Sequence, residues 1–238
     1  MEIITLGIVS IFTSLVAGVV GLGGGLMLIA ILPSFLPIHA LIPIHGLTQM
    51  FSNVSRAYFG YKDIQFEVVP KFVIGSIFGV GLITLILDMI SIDYIPLFIG
   101  MYILLSLWSK RFNEKIKHYE NYYLVGFLQS GLSVIVGATG PLTTTLLLKD
   151  YEDKNKVVST AALLMSITHS MKVLVFVYFG FKFSEYLDII IVMAIGVVIG
   201  SYLGTTVRDK LDGKKLLLTI KILLSILAVK LIASLLPM

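Results

Sequence analysis

The stretch Val19–Pro33, VVGLGGGLMLIAILP, sets three consecutive glycines, Gly23 to Gly25, in the middle of an apolar run that would otherwise form one helix. It lies within residues 3–55, which contain no Asp, Glu, Lys or Arg. Glycine lowers helix propensity by about 1 kcal/mol per residue and admits backbone angles that other residues avoid. Gly23 to Gly25 are therefore expected to break the helix. A break at membrane depth leaves backbone amides unsatisfied, which is tolerated only where protein or a wet cavity covers them.

The surrounding chain has the composition of a membrane protein. Of 238 residues, 57% are hydrophobic and 13% charged, outside the range of soluble globular domains. Charge-free runs recur at 72–87, 94–109, 121–148, 157–171 and 189–207. About twenty apolar residues span a bilayer, so the class is an all-α polytopic membrane protein, with 1–238 as one transmembrane domain. The polar gaps, such as 110–120 and 208–215, are too short for a soluble module. The N-terminal run lacks a basic n-region and a cleavage site, so it is taken as mature structure and not a signal peptide.

Several function classes are excluded. There is no cysteine, hence no disulfide framework, thiol nucleophile or thiolate metal ligand. His39, His45, His118 and His169 show no metal-ligand spacing, and no HExxH, GxSG or GxGD run is present; no metal, cofactor or enzymatic activity is expected. The net charge of +4 lies in loops, where it reports orientation and gives no support for nucleic-acid binding.

An internal repeat follows from the same glycines. An offset of 116 places Val20-Gly21-Leu22-Gly23-Gly24-Gly25-Leu26 on Val136-Gly137-Ala138-Thr139-Gly140-Pro141-Leu142. Downstream, SNVSRAYFGYK from Ser52 parallels THSMKVLVFVYFGFK from Thr168 if the second copy carries one more helical turn. Asn53 then matches His169, Arg56 matches Lys172, and Phe59-Gly60 matches Phe179-Gly180. The expected units are 1–110 and 120–238, each with one Gly-broken helix, re-entrant or discontinuous, and three transmembrane helices. In the second copy Gly137, Gly140 and Pro141 make the break, with the proline suited to the first position of a new helix.

Loop charges select the topology. With eight simple crossings, Lys149, Lys154, Lys156, Arg208, Lys210, Lys214 and Lys215 face Lys62, Lys71, Lys110, Arg111, Lys115, Lys117 and Lys182 across the membrane. That even split conflicts with the positive-inside bias. If 3–32 and 121–148 each turn back to their starting side, the halves become inverted repeats and thirteen of those fourteen charges share one side, leaving Lys182 opposite. Both termini are then outside and the 110–120 linker is cytoplasmic.

A short helix beginning at each break turns its free N–H groups and positive dipole end inward, which favours an anion. Two such ends from inverted halves make a midplane site of the kind found in secondary transporters; close helix packing through small residues is the competing reading of the glycines. Candidate substrate-binding residues are Gly23, Gly24, Gly25, Gln49, Asn53, Arg56, Thr139, Gly140, Thr143, His169 and Lys172. Lys172 ranks first, as the deepest cation, because intramembrane charges are functional by default, whereas Arg56 has the alternative of snorkelling to the interface. His45, Gln49, Ser52, Asn53 and Arg56 recur at spacings of three and four, forming one polar stripe. His45 and His169 are candidates for carrying a proton, since histidine titrates near physiological pH.

These motifs resemble the sulfite exporter TauE/SafE family of permeases. The likeness is carried by GVVGLGGGLMLIAILP from Gly18, FGYKDIQF from Phe59, GFLQSGLSVIVGATGPLTTTLLL from Gly126 and STAALLMSITHSMKVLVFVYFG from Ser159. It departs at IPIHGLTQ from Ile42, where members carry a small Ala-Thr-Ser run, and at ATGP from Ala138, where they carry a third glycine. The resemblance implies a secondary transporter of a small sulfur-containing anion, such as sulfite, thiosulfate or an organosulfonate, in a prokaryotic plasma membrane. The expected partners are that anion, the lipid bilayer and a coupling proton. An anion channel, or a carrier of a non-sulfur anion, is the alternative.

Overall fold

The protein is described from a computed structural model covering residues 2–21, 23–89, 91–111, 114, 121–210 and 213–233. Among these residues there is no strand, and ten α-helices follow in order. They are α1 (Glu2–Val20), α2 (Gly24–Ile31), α3 (Ile38–Phe59), α4 (Val69–Ile86) and α5 (Ile95–Trp108), then α6 (Tyr122–Val136), α7 (Pro141–Asp150), α8 (Lys154–Tyr178), α9 (Leu187–Val207) and α10 (Gly213–Ala233). The linker carrying Lys115, Lys117 and His118 lies outside the described residues.

Among the described residues, four stretches are long and apolar enough to cross a membrane: Glu2–Val20, Phe66–Ile86, Lys154–Tyr178 and Phe183–Val207. Large apolar side chains such as Phe78, Leu85, Leu174 and Ile195 point outward, as expected where lipid is the solvent.

Both glycine-rich blocks break. The first does so slightly earlier than expected: Gly21 and Gly23 hold left-handed φ of +83° and +92°, while Gly24 already begins α2. Only the residues between the helices need conformations closed to other side chains. The second block breaks at Gly137, φ +80°, and α7 restarts with Pro141 in its first turn.

Loop contacts fix which segments share an end of the bundle. At the end where the chain starts, His39 Nε2 lies 3.1 Å from the Tyr186 hydroxyl, and Ile3 borders the same surface depression as Ser184 to Ile189. At the opposite end, the Tyr122 hydroxyl donates to Asp150 at 2.6 Å and the Tyr151 hydroxyl to Glu67 at 2.7 Å. Arg208 Nη1 donates to Asn155 there at 2.9 Å. Burial and the bond to Glu67 push the Tyr151 phenol up to about 12, so it remains a donor at neutral pH. The segment α1–α2 thus leaves the first end and returns to it, whereas α6–α7 leaves and rejoins the second.

Packing is reciprocal across the chain. α1 lies along α9, α6 along α4, α3 against α8, and α5 against α10. Small residues permit the close approach in the first two pairs: Gly200 abuts the Ile11 carbonyl, and Gly79 the Phe127 carbonyl. Two hydroxyl clusters pin these pairs to the central helices. Ser14 bonds Ser52 at 2.7 Å, Ser201 at 2.8 Å and the Val197 carbonyl at 2.9 Å. Ser130 bonds Ser76 at 2.8 Å and Thr168 at 3.0 Å.

Candidate functional site

The tips of the two hairpins meet in the interior. Gly137 packs on Ile29, and Gly25 faces Ala138. Beside this junction is a small cavity, partly open to the outside. Its lining includes Gly23, Gly24, Gly25, Gln49, Asn53, Arg56, Gly140 and His169, so most of the candidate residues come together here. Thr144, Ala161 and Met165 also line it. The wall from α3 is polar because Gln49, Asn53 and Arg56 of its polar stripe face this space.

Arg56 is 4% exposed. Its Nη1 donates to Asn53 Oδ1 at 3.2 Å and its Nη2 to Ser52 Oγ at 3.1 Å, while Nε has no partner. Asn53 is in turn held by donating to the Gln49 carbonyl at 2.7 Å. Among the described residues no carboxylate lies within ion-pair distance of Arg56 or Lys172. A buried cation without a counter-charge is costly, and this one borders a cavity.

The two helix starts differ. In α2 no side chain caps Gly23, and the first intrahelical bond runs from the Met27 N–H to the Gly23 carbonyl at 2.8 Å. Gly24 and Gly25, whose amides precede that bond, border the cavity. A side chain at Gly24 would strike the Thr13 carbonyl and Ala17 of α1, whereas one at Gly25 would press on Gln49 Oε1 at 3.2 Å. Gly24 is thus the packing glycine and Gly25 the cavity glycine. In α7, Thr143 donates through both N–H and hydroxyl to Gln129 Oε1, and the Thr139 hydroxyl donates to the Gln129 carbonyl at 3.0 Å. Thr139 and Thr143 therefore lie outside the lining.

Lys172, ranked first from sequence, is fully buried and sits behind the tips. Its ammonium donates to the Gly137 carbonyl at 2.5 Å, and its methylenes pass over Gly46. His45 Nε2–H donates to the Gly25 carbonyl at 2.9 Å, leaving Nδ1 without a partner. The rings of His45 and His169 meet edge to face, centroids 5.7 Å apart. His169 Nδ1 is also unpartnered. No group of three or more His, Asp or Glu able to hold a metal occurs among the described residues.

Sequence reasoning missed Gln129 and the serine clusters. Gln129 interrupts the apolar run 121–136 of the second broken block, and that was the available signal.

Helix breaks meeting inside an all-helical apolar bundle, over a cavity bearing a buried cation, define a polytopic membrane transporter. The family model described as Sulfite exporter TauE/SafE matches residues 6–231. The chain belongs to that family, whose members are membrane transporters of the sulfur-anion exporter type. No curated protein and no solved structure matches it.

Proposed function

We propose that the protein is a secondary transporter that moves a small sulfur-containing anion, such as sulfite, thiosulfate or an organosulfonate, across the cell membrane. The observation that carries this reading is Arg56, buried without a carboxylate partner among the described residues, beside the uncapped start of α2 in one cavity. An oxyanion there accepts from the amides of Gly24 and Gly25 and from Arg56, and charge-assisted bonds of this kind are the strong ones. Gln49, Asn53 and His169 supply further polar contacts. Lys172 adds positive potential from behind the tips. His45 and His169, with unpartnered Nδ1 atoms, are the candidates for a coupled proton.

The halves 1–110 and 120–238 are read as inverted repeats, with both termini outside. Support comes from the two hairpins returning to opposite ends and from the shared end of Glu67 and Tyr151, near which Lys62 and Lys156 lie. The serine clusters add support, since Ser14–Ser52 and Ser130–Thr168 stand at the same offset of 116. Direct packing of Gly137 on Ile29 favours a carrier over an open pore.

The test is thermal stabilisation of the purified protein by sulfite, thiosulfate, sulfate, taurine, sulfoacetate, chloride and phosphate, because a ligand of the native state raises its stability with concentration. One sulfur anion is expected to stabilise the wild type. Arg56→Ala should weaken that anion by about 1.5–3 kcal/mol, a factor of about 10 to 150 in Kd. Stabilisation by no sulfur anion, or an unchanged Kd in Arg56→Ala, overturns the reading.

A further inference from the structure

The start of α7 is already occupied from within the chain. Gln129, fully buried on α6, accepts at Oε1 from the Thr143 N–H at 3.0 Å and from the Thr143 hydroxyl. Its Nε2 donates to Met165 Sδ at 3.2 Å and to Thr168 Oγ1 at 3.3 Å. A glutamine side chain offers two N–H donors and one carbonyl oxygen with two lone pairs, and all are engaged. The rest of the first turn is equally closed: Pro141 has no N–H, and the Leu142 N–H donates to the Thr139 carbonyl at 3.2 Å. α2 has no such occupant. At the offset of 116, the residue corresponding to Gln129 is Thr13, whose short side chain bonds the Ser10 carbonyl of its own helix.

We propose that Gln129 is a positioning residue acting as the permanent internal ligand of α7, so that two related helix starts present one anion position, on α2. The proposal rests on the anion-carrier reading above. The amide oxygen carries partial negative charge and sits where a substrate oxygen sits on α2, satisfying the positive end of the helix without net charge. Through its amide nitrogen Gln129 also holds Met165 and Thr168 of α8. The α7 and α8 side of the cavity, with Gly140, Pro141, Ala161, Met165 and a Thr144 hydroxyl that donates to the Gly140 carbonyl, therefore leaves His169 as its polar contact to the substrate. It suits the uncharged part of the anion, while the α2 side takes the charged oxygens.

The experiment is calorimetric titration of sodium sulfite into the wild type, Gln129→Ala and Gln129→Glu, each as purified full-length protein. One sulfite per chain is expected for the wild type. Gln129→Ala uncovers the Thr143 N–H and hydroxyl, so a second sulfite per chain is expected. Gln129→Glu retains acceptors for Thr143 and places a negative charge across the cavity, so one sulfite is expected, bound at least tenfold more weakly. A stoichiometry of one in Gln129→Ala overturns the proposal and leaves the carrier reading intact. If Gln129→Ala does not fold, Gln129→Glu decides, and an affinity equal to the wild type overturns the proposal. Sulfite binding by Gln129→Ala but not by the wild type would uphold the role of Gln129, and would remove the carrier reading if thiosulfate and sulfoacetate also fail to bind the wild type. No sulfite binding by any of the three overturns the proposal, and the carrier reading falls with it if thiosulfate and sulfoacetate also fail to bind the wild type.

Discussion

Gly24 and Gly25 are adjacent in one helix, yet they answer to different constraints. Gly24 lies where α2 crosses α1, against the Thr13 carbonyl, and Gly25 borders the cavity beside Gln49. Gly24→Ala is expected to cost about 1–3 kcal/mol, as overpacking of a tight contact does, and to lower the unfolding temperature whether or not anion is present. Gly25→Ala should leave the unfolding temperature near wild type and raise the KM for transport, because Gln49 must shift within the site. Thermal melts alongside uptake into proteoliposomes separate the two, and the reverse pattern would refute the assignment. The same scale explains why Arg56 and Lys172 change rank. Their positions along the chain gave depth in a helix. The direction each side chain takes around its helix depends on neighbours: Gly46 lets Lys172 pass to the Gly137 carbonyl, while Ser52 and Asn53 hold Arg56 at the cavity.

At the scale of elements, the broken helices were legible because glycine and proline act locally on the backbone. Their positions moved by a residue or two, since left-handed φ is needed at Gly21 and Gly23 and not at Gly25. The serine clusters were not legible. A serine in an apolar helix is compatible with a bond to its own preceding turn, and only tertiary packing decides that Ser14 reaches Ser52 and Ser201 while Ser130 reaches Ser76 and Thr168. Interhelical hydrogen bonds in membranes average about 0.6 kcal/mol. Ser14→Ala and Ser130→Ala are therefore each expected to cost about 1–2 kcal/mol, within the range that several such bonds supply together. The clusters share no residue, so the double variant should show the sum. Equilibrium denaturation in detergent tests this, and a strongly non-additive double variant would contradict two independent clusters.

For the whole molecule, apolar run lengths sufficed for an all-helical membrane protein, and loop charges favoured hairpins over eight simple crossings. The pairing of α1 with α9 and of α4 with α6 was beyond them, because helix partners in lipid are chosen by surface shape and the pattern of small residues. The topology has a clean test, since the chain contains no cysteine. Single cysteines replacing Lys62 and Lys156 should react with a membrane-impermeant maleimide from the cytoplasmic side, and one replacing Lys182 from the outside. Reaction of the first two from opposite sides would restore the simple crossings. The lack, among the described residues, of a carboxylate within ion-pair distance of Arg56 and Lys172 also bears on energetics. Arg56, at the cavity with no carboxylate within ion-pair distance among the described residues, favours negative charge there. A singly charged anion carried from the cytoplasm to the outside without a proton moves down the membrane potential, which contributes about 2.3 kcal/mol per 100 mV. At an inside-negative 100 mV that equals a concentration ratio of about fifty, so voltage alone can empty the cell of such an ion, and a proton travelling with it would surrender that advantage.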